Sequence, residues 1–399
     1  MFSLLLSSFL FFSSARAEAA AAGEPFVGSA PNGSLLLQPA AGQRVLIDGA
    51  DFRAMVQQMA ALTTQVAKLT AQLERQQCAA AADVVSLQGP AGEHKWHGGV
   101  LANNGKIYAI PFNAEEALII NPNTHTVDST SIAGLPQGLN WVGGVLGANG
   151  KVYGIPWQAK SVLMIDPDTN TVDTTTMAGL DGINKWIGGV LAGNGKIYAF
   201  PHTSTAVLII DTATNKTDIT TISGLTNESK WFGGAMARNG KIYGMPHNSL
   251  SVLIVDPATN TADTTTITGL LGDGKWFGSV LAGNGKIYGI PHLAAAVLIV
   301  DPDTNTADVT SMSGLVPGGS KWLGGVLAGD GLIYGIPHYD TSVLIIDPTT
   351  NSFNTSAIAG LDGDAKWSGG VLAPNGRVYG IPYSTAPVLI IQRDCSRLL

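Results

Sequence analysis

One position along this chain is held by a flat ring seven times: Phe112, Trp157, His202, His247, His292, His338 and Tyr383, each directly after a proline. A second set, Trp96, Trp141, Trp186, Trp231, Trp276, Trp322 and Trp367, recurs at steps of 45 or 46 residues. Ahead of these tryptophans stand Lys95, Lys185, Lys230, Lys275, Lys321 and Lys366, with Asn140 ahead of Trp141. Planar rings, ammonium groups and loop amides are the groups that recognise a sugar. The ring stacks on its apolar face and the polar groups take its hydroxyls. All three sets are therefore candidate ligand-binding residues. The tryptophans have a competing role, because a large aromatic at one place in every repeat wedges between neighbours.

Other chemistries fit less well. Four consecutive histidines at 45- or 46-residue steps raise the question of a metal. Ligands must converge to within about 2 Å of one ion. Equivalent points on adjacent repeats away from an axis lie too far apart for that, and Phe112 and Trp157 cannot ligate at all. Asp166, Asp168, Asn170 and Asp173, like Asp301, Asp303, Asn305 and Asp308, resemble oxygen-rich loops but lack the Gly and Glu of a calcium-binding hand. Plain turns account for them. No Ser-His-Asp spacing, phosphate loop, H-E-x-x-H or paired-carboxylate motif is present. Catalysis needs unlike residues around one reacting atom, and near-identical repeats supply one residue seven times. The exceptions are Glu115, Glu116, Lys160 and Asp340. No catalytic residue, metal or cofactor is expected.

The rings belong to a 45-residue phrase written seven times, as in KWFGSVLAGNGKIYGIPHLAAAVLIVD over Lys275 to Asp301. Each copy reads as four strands: GGVLA after the Trp, KIYGIP after an N-G or D-G turn, SVLIID after a short loop, and TxDTTTI after a P-x-T-N turn. The middle strands are apolar on both faces, which suits a sheet sandwiched between two others. A period of 40 to 50 residues built from short apolar strands predicts an all-β, seven-bladed β-propeller. The Gly pairs after the Trp suit the crowded axis.

The seventh copy stops after its third strand, and residues 83–96 match 173–186 in length, so an N-terminal strand should complete the last blade. In that blade the turn between the third and fourth strands has no peptide connection. Repeat alignment puts Cys78 and Cys395 at adjacent positions of this missing turn, and a disulfide between them would replace it.

Residues 1–17 read as a signal peptide, with an apolar run at Leu4–Phe12 and an A-x-A site at residues 15–17. The run is too short to span a bilayer, and no later stretch is long enough. Residues 18–50 are an Ala/Gly/Pro-rich linker with two short strands expected, Ser34–Gln38 and Arg44–Asp48. Residues 51–77 form an expected helix, with Asp51 as a possible cap. Phe52, Met59, Val66 and Leu73 alternate with Met55, Leu62, Leu69 and Gln76 as a heptad seam. That seam fits either self-association as a coiled coil or a lone amphipathic helix packed on the propeller, which occupies 78–399. Sequons stand at Asn32, Asn215, Asn227 and Asn354. Net charge is −7 and charged residues are only 13% without a basic stripe, so nucleic acid is not an expected partner.

The phrase GVLAGNGKIYGIP followed by SVLIVDPATNT resembles kelch-type and YVTN-type propeller repeats over residues 83–392. It departs from kelch in replacing the diglycine after the second strand with Ile-Pro and a ring, and in the place of the Trp. The resemblance implies the fold and leaves the ligand open, since such propellers serve as enzymes, lectins and scaffolds. The expectation is a secreted multivalent binding module for a glycan or surface protein, with homo-oligomerisation through residues 51–77. The alternatives are a lyase or hydrolase at the axial channel, or a protein-binding scaffold.

Overall fold

The structure is a computed structural model. It describes strands at residues 26–29, 35–38, 46–47 and 50–51, a helix at residues 56–66, and residues 79–394 except 227 and 228. The chain divides into two compact units, Met1–Leu73 and Glu74–Leu399. In the first, Phe26–Ser29 pairs antiparallel with Leu35–Gln38, and Leu46–Ile47 with Ala50–Asp51. The partner strand Phe26–Ser29 was not expected from sequence. Asp51, expected as a possible cap, lies in a ladder opposite Leu46, and the described part of the helix is residues 56–66. Every described helix residue is exposed, including Val56, Met59, Leu62 and Val66.

The second unit is a seven-bladed β-propeller of four-stranded antiparallel sheets. Blade one runs Trp96–Leu101, Ile107–Pro111, Leu118–Asn121 and Thr126–Asp128, here called strands A to D from the axis outward. Strand B is buried along its whole length in six blades and from Ile197 onward in blade three, and strand C is buried over its first three residues, as two-sided burial requires. Blade seven consists of Trp367–Leu372, Val378–Pro382, Leu389–Asp394 and, from the other end of the chain, Ala79–Asp83. Asp394 pairs with Ala79, the last rung of that ladder. Cys78 and Cys395 are the next residues in each direction and lie outside the described residues.

Strand D is shorter than the sequence pattern implied. It ends at the Asp of the TxDTT phrase because that carboxylate turns the chain: Asp173 Oδ1 accepts from the Thr175 and Thr176 amides at 2.7 and 3.0 Å. The same turn recurs at Asp128, Asp218, Asp263 and Asp308.

At the axis each strand A carries a bulge just after its Trp. The bulge glycines Gly98, Gly143, Gly188, Gly233, Gly278, Gly324 and Gly369 have φ between 62° and 79°. A β-carbon on any of them would lie 3.0 to 3.5 Å from the Cα of the next, and Gly369 meets Gly98. Only glycine tolerates both the left-handed backbone and this approach. Between blades lie the apolar clusters, each containing one Trp.

The outer rims are stitched by polar contacts. Asn104 Nδ2 donates to the Pro167 carbonyl of the next blade at 2.9 Å, and the Tyr108 hydroxyl donates to Asn170 Oδ1 at 2.8 Å. The same pattern links Asn149 and Tyr153 to blade three, and so on to blade six. Blade six faces the split blade, which has no peptide turn to offer. There Asp330 replaces the Asn and pairs with Arg393, Nη2 to Oδ2 at 2.8 Å.

Candidate functional site

The flat rings sit on a closed belt of backbone hydrogen bonds. In each blade the amide after the strand-B proline donates to the carbonyl of the residue before the Trp, as from His202 to Lys185 at 2.8 Å. The equivalent amide of the next blade then donates back, as from Lys230 to the His202 carbonyl at 3.3 Å. These links alternate around the circle until Lys95 reaches the Tyr383 carbonyl at 2.9 Å. Such a belt needs no particular side chain, yet all seven are planar.

The tryptophans and lysines are architectural in this structure. Each of the seven indoles is at most 3% exposed. Each donates Nε1–H to a carbonyl twenty residues on, from Glu116 for Trp96 to Pro387 for Trp367, at 2.7 to 2.8 Å. The six lysines are 1 to 5% exposed. Lys185 Nζ donates to the carbonyls of Trp157, Ala159 and Gly182 at 2.9 to 3.1 Å. Lys95, Lys275 and Lys321 each find three carbonyls in the same way, and Lys366 Nζ reaches those of His338 and Gly363. Lys230 Nζ meets the His202 carbonyl at 2.9 Å. Each lysine thus clasps the preceding blade. Burial pushes the Lys185 ammonium down to about 8, while its three carbonyl acceptors favour the charged form. Both sets were expected as ligand contacts because their loop position is correct. The structure turns them inward.

The third set does come together, and more closely than the sequence argument allowed. That argument placed equivalent residues far apart. In the structure the rings lie near the axis, and four of the seven neighbouring pairs are in ring contact. Trp157 and His202 have centroids 4.5 Å apart, His247 and His292 5.5 Å, His338 and Tyr383 5.2 Å, and Tyr383 and Phe112 6.0 Å. Phe232 bridges His202 and His247, and Phe112, Trp157 and Tyr383 share one apolar cluster, so the seven positions belong to one patch. Trp157, His247, His292 and Tyr383 are half-buried; Phe112, His202 and His338 are buried.

The imidazoles have fixed roles. Nδ1 of His202 meets the Asn184 carbonyl at 2.9 Å, that of His292 the Gly274 carbonyl at 3.1 Å, and that of His338 the Trp367 carbonyl at 2.9 Å. A carbonyl only accepts, so the proton is on Nδ1 and Nε2 carries a lone pair. Burial pushes His202 and His338 down to about 4, so the rings are neutral at neutral pH. His247 lies flat on Phe232 at 3.7 Å, and neither of its nitrogens makes a well-aligned hydrogen bond.

Beneath the patch is a plug that sequence reasoning missed, made by the residue after each Trp: His97, Val142, Ile187, Phe232, Phe277, Leu323 and Ser368. His97 reaches across the axis to Phe277, with centroids 5.6 Å apart, and touches Phe112 and Tyr383. Its Nδ1 meets Ser368 Oγ at 3.0 Å. Ser368 is 0% and His97 9% exposed, and burial pushes His97 down to about 3. This is the one polar pair in the plug, and it is sealed beneath aromatic rings. The signal was available, since that position is apolar in five of the seven copies. On the loops around the patch, Ile183, Leu271 and Val316 are exposed, as is Tyr339 beside His338.

No metal-ligating cluster of three or more residues occurs among the described residues. The Asp166 carboxylate of the C–D turn pairs with Lys151 at 3.3 Å and accepts the Asp168 amide. Asn215 lies on a turn and Asn354 ends strand D of blade six, Ser352–Asn354, while Asn32 and Asn227 lie outside the described residues.

The fold and this face define the chain as a seven-bladed β-propeller with an aromatic and histidine-rich end. No protein-family model matches the sequence, and no curated protein does. Solved structures do match. Virginiamycin B lyase from Staphylococcus aureus superposes with a TM-score of 0.63 at 9% identity, over 78% of this chain and 99% of that one. A hydrazine synthase from Kuenenia stuttgartiensis gives 0.58 at 13% identity, over 75% and 96%. The extracellular domain of a hybrid two component system from B. thetaiotaomicron gives 0.56 at 11%, over 75% and 40%. At these identities the likeness is one of fold. No described helix is long and apolar enough to cross a membrane.

Proposed function

We propose that this chain is a secreted binding protein whose ring-lined face takes carbohydrate, one ligand per propeller. The observation that carries the reading is the joining, in one patch, of half-buried Trp157 and Tyr383 to three imidazoles whose Nδ1 is held by a carbonyl, which leaves a lone pair on Nε2. Aromatic faces stack on the C–H surface of a sugar, and lone pairs accept from its hydroxyls. The belt consumes the backbone amides beneath, so these side chains are the groups left to meet a ligand. The rings belong to one patch, so valency comes from chain association and not from separate blades. The apolar stripe Val56, Met59, Leu62 and Val66 on an exposed helix supports such association through residues 51–77. Light scattering of the full chain should give a multiple of the chain mass, and deletion of 51–77 a monomer.

A glycan array followed by titration calorimetry tests the reading. The expected result is binding at one site per propeller. Absence of binding across a diverse array defeats it. A second reading is a protein ligand, favoured by exposed Ile183, Leu271 and Val316 around the patch. It predicts that charged substitutions at those loop tips abolish partner capture and leave glycan binding alone.

A further inference from the structure

Each of the six lysines on the ring face is engaged by backbone carbonyls, Lys230 by that of His202 and Lys366 by those of His338 and Gly363. Lys95, Lys185, Lys275 and Lys321 each spend three N–H groups on three carbonyls. The amides of the ring positions and of the residues before each Trp are consumed by the belt. The imidazole nitrogens left without a protein partner are acceptors: Nε2 of His202, His292 and His338, whose Nδ1 protons are committed to carbonyls. The side-chain donors that remain among the rings and beside them, the Trp157 indole, the Tyr383 and Tyr339 hydroxyls and the one N–H of His247, are uncharged.

We infer that this ring is a hydrogen-bond-accepting site at neutral pH, which takes uncharged, hydroxyl-rich ligands and turns away carboxylated or sulfated ones. The inference rests on the carbohydrate reading above and specifies its ligand class. A carboxylate or sulfate is acceptor-only, so here it would lose its hydration against lone pairs and π faces without gaining a charged donor. The lysine charges do not reverse this, because loop carboxylates act on them: Glu116 on Lys95, Asp181 on Lys185, Asp273 on Lys275 and Asp340 on Lys321.

The selectivity should invert in acid, since a protonated imidazole donates from both nitrogens. Burial resists that protonation most, and the charged groups acting on the ring add to it, against the carbonyls of Asn184, Gly274 and Trp367 and the Asn248 side chain, which favour it. Lys230 bears on His202; His292, His202 and Lys275 on His247; Lys321 on His292; and His292, Lys366 and His94 on His338. No carboxylate is among them, and Tyr383 beside His338 is itself pushed up by burial to about 12. The site therefore keeps its accepting character well into mild acid.

The test compares three forms of one oligosaccharide, chosen from a glycan that the array returns: neutral, carboxylated and sulfated. Titration calorimetry of the full chain at about pH 7 should show the neutral form bound at least roughly tenfold more tightly than either anionic form. At about pH 4, with circular dichroism confirming the fold, the preference should narrow or reverse. Nitrogen chemical shifts of the ligand-free imidazoles should show Nδ1–H for His202, His292 and His338. Tighter binding of an anionic form at neutral pH, or Nε2–H imidazoles, overturns this inference and leaves carbohydrate binding standing. Failure of all three forms, with the Nδ1–H tautomer present, overturns both.

Discussion

Asp330→Asn gives blade six the residue found at this position in every other blade, so by pattern alone it should be harmless. The structure predicts the opposite. In the other rims an Asn amide donates to a turn carbonyl, as Asn284 does to Pro348 at 2.9 Å. Opposite Asp330 stands the Arg393 guanidinium, with Nε and Nη2 at 2.9 and 2.8 Å from Oδ2. Asp330 is 9% and Arg393 23% exposed at the side chain. Breaking a fully buried pair costs about 3–5 kcal/mol and an exposed one under about 1 kcal/mol, so a site between these limits should lose about 2–3 kcal/mol. The Tyr334 hydroxyl, which donates to the same Oδ2 at 2.8 Å, loses a charged acceptor as well. Urea unfolding followed by tryptophan fluorescence reads the change, and a double-mutant cycle with Arg393→Gln isolates the pair. Asn284→Asp is the reciprocal control: it places a carboxylate against the Pro348 carbonyl and should destabilise by about 1–3 kcal/mol. An Asp330→Asn protein that unfolds at or above the wild-type midpoint refutes the idea that the split blade is closed by a matched charge.

Lys185→Met should cost roughly 2–4 kcal/mol, because the carbonyls of Trp157, Ala159 and Gly182 lose their donor together; an unchanged urea midpoint would show that the lysine is not a clasp. Stability should also fall in mild acid. Unfolded imidazoles titrate near pH 6.5. Burial holds His97 and His247 at about 3 and His202 and His338 at about 4. Between those limits the unfolded chain binds protons that the folded chain refuses, so this stability is complete above pH ~6.5 and is lost on acidification, by up to about 1.4 kcal/mol per histidine per pH unit. Urea midpoints at several pH values check it, and a flat profile contradicts it. Intact mass should be lower by two hydrogens than the reduced sequence requires, with Cys78 and Cys395 in one linked peptide. Reduction should then lower the unfolding midpoint.

The architecture was legible because one signal, the repeat period, was written seven times, and comparing the two chain ends then exposed the missing strand. What escaped was direction. The Lys-Trp pair marks the end of six of the seven D–A loops, but its spacing is silent on whether those side chains face solvent or the blade before. The decisive contacts of Lys185 are carbonyls, which every residue carries, so no residue type advertises them. The distance between rings escaped for another reason: the Gly pairs marked strand A as the strand at the axis, but nothing in the spacing says how close to that axis the residue after the strand-B proline comes. The Asp330–Arg393 exchange was readable in principle, as an Asn-to-Asp change in the one blade that precedes the split blade.

The central claim is that the aromatic and histidine face is where a ligand binds. Its most direct test is titration of the wild-type protein and of Trp157→Ala with one glycan that the array returns. Trp157 is half-buried, touches His202, and its carbonyl rather than its ring serves the lysine clasp. Removing the indole should therefore weaken binding roughly tenfold or more while the urea midpoint moves little, since one stacked face contributes about 0.5–1.5 kcal/mol beyond the area it covers. Undiminished affinity in a folded Trp157→Ala protein would place the ligand elsewhere on the propeller.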